Sequence, residues 1–86
     1  MSNLKSNFQH LSEGEKAAYL FTKGRHITSR IYGDFIANLY SVDDFLVEVI
    51  FDKEDIRIHS IEVIDNSDVI NLYIDSALTK RQERQK

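Results

Sequence analysis

The stretch FLVEVIF, residues 45–51, reads as a buried strand, yet it carries a carboxylate, Glu48, at its centre. A carboxylate there does chemistry only if neighbouring strands complete it. Two residues come within reach once the strands pair: His59 in RIHSIEVI and Arg30 in RHITSRIY. A histidine beside a carboxylate is the minimum for acid–base work, because the acid orients the ring and raises its basicity. An arginine next to both can hold an anionic substrate. Glu48, His59 and Arg30 are therefore the candidate catalytic residues. The competing reading is plain: cross-strand charge pairs on a solvated sheet face are routine and worth ~0.2–1 kcal/mol. No nucleophile with a positioned base, no glycine-rich phosphate cradle and no ligand cluster accompanies the three. A non-enzymatic role is the preferred expectation.

Four β-rich runs must position these side chains: RHITSRIY, FIANLY, FLVEVIF and IRIHSIEVI. Each has period-two character and β-branched or aromatic residues, and each gap holds turn formers. Gly33-Asp34 gives the type II′ hairpin signature, and the acidic gaps at 41–44 and 52–55 are also of hairpin length. No gap is long enough for a parallel crossover, so an antiparallel meander follows. Ahead of it, Ser12 and Glu15 form a capping-box pattern at the start of a helix, and Gly24 stands where a left-handed C-terminal residue is wanted. Behind it, helical spacing returns, with Val69, Leu72, Tyr73 and Ala77 on one face. The expected fold class is α+β in the order αββββα: a four-stranded antiparallel meander with its N- and C-terminal helices packed on one face. Residues 1–11 read as a loose leader, 12–79 as a single domain and 80–86 as a basic tail.

Pairing Tyr32 with Phe35, Tyr40 with Phe45 and Phe51 with Ile56 sorts the side chains onto two faces. The face taking Val47 and Val49 is apolar and belongs under the helices. It also takes Ser29, Asn38 and Ser60, a polar row expected to be satisfied by mutual hydrogen bonds. Glu48 points the other way, in a row reading Arg30, Ala37, Glu48, His59. That second face also carries Tyr32, Phe35, Leu39, Leu46 and Ile50, too much apolar surface to stand in water. The expected cover is a second copy packing sheet on sheet, with those five residues and Arg57 as the interface. Another protein, or a helix crossing to that side, are the alternatives. The phase of RIHSIEVI changes part-way, which calls for a bulge near His59-Ser60.

Composition agrees with a small interaction domain. The 86 residues carry 42% hydrophobic and 29% charged side chains, enough for one hydrophobic core. Cysteine is absent, which excludes disulfides and thiolate metal sites and fits a cytoplasmic location. No run approaches the ~20 apolar residues of a membrane helix. Net charge is −3, with Lys80, Arg81, Arg84 and Lys86 gathered at the end, so the body is acidic and argues against nucleic acid. The histidines are scattered and the acidic turns lack a calcium-loop pattern, so neither metal nor cofactor is expected.

The runs NLYSVDDFLVEVIFD and INLYIDSAL together resemble a group of small bacterial α+β proteins built from a short helix, a meander containing F-x-V-E-V and a final helix. The resemblance covers most of residues 11–78. It implies the same layout and brings no activity, substrate or site residue.

Overall fold

The computed structural model describes residues 4–55 and 57–84, with side chains through residue 75. Its centre is a four-stranded antiparallel sheet in the order β1-β2-β3-β4: β1 Arg25–Tyr32, β2 Phe35–Val42, β3 Phe45–Asp52 and β4 Ile58–Ile64. Two helices precede it, α1 Leu4–Gln9 and α2 Glu13–Lys23, and one follows, α3 Ser67–Arg84. The α+β meander expected from the period-two runs is present.

The turns set the registers. Gly33 has φ 60° while Asp34 stays at negative φ, the backbone pattern of a type II′ turn, and Tyr32 pairs with Phe35. Asp43 takes the same left-handed position, φ 54°, so β2 and β3 continue right up to a two-residue connection. Val42 therefore pairs with Phe45, and the expected pairing of Tyr40 with Phe45 is two residues out. A shift of two preserves the faces, which is why the sorting of β2 and β3 survives the error.

The last pairing contains a bulge. Phe51 pairs with Ile58 but Ile50 with Ser60, leaving His59 as the extra residue. The change of phase in RIHSIEVI has this cause. It turns Ile61 inward, opposite Val49, and sends Ser60 outward, so Ser60 does not join Ser29 and Asn38. Ile56, expected opposite Phe51, lies outside the described residues. A second irregularity between His26 and Thr28 puts His26 on the inner face beside Tyr40, not on the outer one as alternation alone predicts.

The helices do not share a face. Phe8 of α1 and Leu20 of α2 pack with Val42, Phe45, Val47, Val49 and Ile61, while Val69, Ile70 and Tyr73 of α3 pack with Ala37, Leu39, Ile64, Leu46 and Ile50. The reason is width. Four strands at ~4.8 Å spacing leave room for about two helices on one face, and the first eleven residues supply one of them. Within the segment expected to be a loose leader, Leu4–Gln9 form α1, and its Phe8 is only 2% exposed, a burial worth ~1.5–3 kcal/mol. With α1 and α2 on the inner face, α3 covers the outer one. The basic segment continues α3 as far as Arg84; residues 85 and 86, and the side chains from 76 on, lie outside the description.

Local chemistry holds α2 in place. Ser12 accepts from the Glu15 amide at 3.2 Å and Glu15 accepts from the Ser12 amide at 2.9 Å, the expected capping box. Gly24 is not left-handed: its φ is −81°. Its requirement is space, since a Cβ there would stand 2.6 Å from the Leu20 carbonyl oxygen.

Candidate functional site

Glu48 does point away from α1 and α2, but into a second core. From β3 its carboxylate accepts the Tyr73 hydroxyl proton at 2.7 Å. Arg30 Nη2, reaching diagonally from β1, stands 3.9 Å from the same oxygen. The Arg30 guanidinium lies 5.0 Å from the Tyr32 ring centre and 5.1 Å from that of Tyr73, so it is held between two aromatic rings. The side chains of Arg30 and Glu48 are 16% and 13% exposed, and Tyr73 is 2% exposed.

This grouping joins α3 to the sheet. Burial, and then the hydrogen bond to the Glu48 carboxylate, push the Tyr73 hydroxyl well above its ordinary range, so it stays neutral and donates. Among the described residues Arg30 Nε is buried without a hydrogen-bond partner, which costs ~1–3 kcal/mol. The arrangement ties α3 to β1 and β3, and one acid serves both ties.

His59 is not part of it. At the bulge it is exposed and its ring lies 4.9 Å from that of Phe35. The residue directly across from Glu48 is Glu62, so the row Arg30, Ala37, Glu48, His59 does not form: bulge and register shift carry His59 past the acid. Of the three candidate catalytic residues the structure brings Glu48 and Arg30 together and leaves His59 apart. The residue that sequence reasoning missed is Tyr73. Its position on the apolar stripe of the last helix was legible, but a stripe does not say which sheet face it will meet.

The proposed interface residues fare in a similar way. Leu39 is buried, and Leu46 and Ile50 pack against the same cluster under α3. The chain's own α3 packs on the part of the sheet face that these three residues occupy. Tyr32 is half exposed, its ring 6.1 Å from that of Phe35. Arg57, outside β4, is exposed and pairs with Asp55 at 3.3 Å.

On the inner face, apolar surface stays open beside α2. A groove of about 320 Å³ opens there, lined by Leu20, Phe21, Tyr40, Phe51 and Ile58, with His26 at its edge. Phe21, at its mouth, is 92% exposed, and Ile31, on β1, is 69% exposed. Polar groups border this surface: Ser29 Oγ donates to Asn38 Oδ1 at 2.6 Å and lies 2.8 Å from His26 Nε2. Two members of the polar row expected from the alternation thus satisfy each other. Among the described residues no group of three or more metal-binding side chains is found, and no helix is long and apolar enough to cross a membrane. Comparison with family models, curated proteins and solved structures gives no match.

Proposed function

We propose that this protein is a non-catalytic protein-interaction module that binds through the open part of its inner face, where α2 ends and β1 begins. The supporting observation is Phe21, a phenylalanine 92% exposed at the mouth of an apolar groove and close in the chain to the edge strand β1. Isolated apolar residues on a surface are ordinary, whereas an apolar patch continuous with a groove and a sheet edge is the usual form of a binding surface. A cytoplasmic setting suits a chain that has no cysteine. The rival reading, an anionic ligand or substrate held by Glu48, His59 and Arg30, has less support, because Glu48 and Arg30 already serve α3.

Selection of displayed extended peptides against the immobilised full chain tests the proposal. Binders should be recovered whose affinity falls sharply on Phe21→Ser, while the melting temperature of that variant stays close to the parent's. Binders indifferent to Phe21, or no enrichment at all, would overturn it.

A further inference from the structure

Resting on that reading, we infer that the partner of this surface is a second copy of the chain, seated inner face to inner face about a twofold axis so that the Phe21 of each copy enters the groove of the other. The strand register places one apolar residue from each strand in a single row. Ile31 pairs with Ile36, Ile36 with Phe51 and Phe51 with Ile58. Ile31 is 69% exposed, the other three are partly exposed, and Ile31 and Ile36 belong to neither core cluster. The groove opens over the Phe51 and Ile58 end of this row, with Phe21 at its mouth. Row, groove and Phe21 form one apolar surface.

Three properties of that surface suit a copy of the same chain. The first is shape. A projecting phenylalanine beside a groove of about 320 Å³ is a knob and a hole on one patch, and a twofold axis between them seats each knob in the opposite hole, as an isologous interface requires. The second is charge. The chain carries −3 overall, so two copies repel, yet among the described residues the groove and the row hold no Asp, Glu, Lys or Arg, and the copies meet where that repulsion is weakest. Ser29 and Asn38, paired in the neighbouring row, already bond to each other, which lowers the cost of covering them. The third is area. Phe21, Ile31 and the partly exposed side chains beside them present on the order of 400–500 Å² of apolar surface. Two copies then bury roughly 1,000 Å², the lower bound for a specific interface, so the dimer is a weak, micromolar one.

Sedimentation equilibrium of the full chain, from tens to hundreds of micromolar, tests this. At the upper end the wild type should approach the mass of a dimer. Phe21→Ser should weaken association by about a hundredfold, since the twofold removes the side chain from both contacts, and Ile31→Lys by about tenfold or more. Ala17→Phe, which fills the groove from α2, should weaken it as well. The deciding measurement is a mixture of Phe21→Ser with Ala17→Phe. Their heterodimer keeps one phenylalanine seated in one open groove, so it should form about tenfold more tightly than either variant pairs with itself. Circular dichroism and thermal melting establish which variants fold, and Ile31→Lys, at an exposed position, carries the test if Ala17→Phe unfolds the chain. A monomeric wild type, a dimer indifferent to Phe21→Ser and Ile31→Lys, or folded variants whose mixture associates no better than each alone would overturn the inference. Peptide binders that depend on Phe21, found with a monomeric wild type, would leave the module reading standing and remove only the second copy as its partner.

Discussion

Removing one oxygen from α3 tests the reading of Glu48 as a tie between helix and sheet. In Tyr73→Phe the ring still fills its place in the outer core, and only the 2.7 Å bond to Glu48 is lost. A hydrogen bond to a charged group contributes ~1.5–3 kcal/mol, and with the Glu48 side chain only 13% exposed water replaces little of it. A loss of ~2 kcal/mol is expected, or roughly 8–16 °C in melting temperature for a domain of this size. The loss should depend on pH. The folded chain holds the Tyr73 proton above the ordinary value of 10.0, so the contribution is fully present below pH 10.0. Above that, the unfolded chain ionises first, and stability falls by ~1.4 kcal/mol per pH unit until the folded hydroxyl also titrates. Denaturant titrations of both proteins, from neutral pH to about pH 11, should therefore show a gap that narrows above pH 10.0. A gap below ~0.5 kcal/mol at neutral pH, or one unchanged in alkali, refutes the reasoning.

Leu46→Glu or Ile50→Glu places a charge under α3 and should cost about 3 kcal/mol or more, read as a lowered denaturation midpoint; a folded variant of parental stability would mean that α3 does not cover this face. Gly24→Ala drives a Cβ to 2.6 Å from the Leu20 carbonyl and should cost ~1–3 kcal/mol by thermal melting, although Gly24 has no left-handed backbone to protect. Glu62→Lys removes a like charge directly opposite Glu48 and should stabilise by ~0.2–1 kcal/mol, with a gain that shrinks in high salt.

Local patterns determined much of this protein. The period-two runs, the capping box at Ser12 and the Gly33-Asp34 turn each rest on interactions between residues close in the chain, and each appears where the sequence places it. The change of phase in RIHSIEVI likewise announced the bulge that isolates His59. The outward direction of Glu48 follows from alternation alone.

What lay beyond the sequence was the choice of partner for each surface. An apolar stripe on a helix is equally content against either face of a two-faced sheet, because apolar burial has no direction. Tertiary packing decided it: through Phe8, α1 joins α2 over part of the inner face, and α3 takes the other side. That decision turned an expected interface into a core, gave Glu48 a tyrosine in place of a histidine, and left the exposed apolar surface at Phe21 and Ile31.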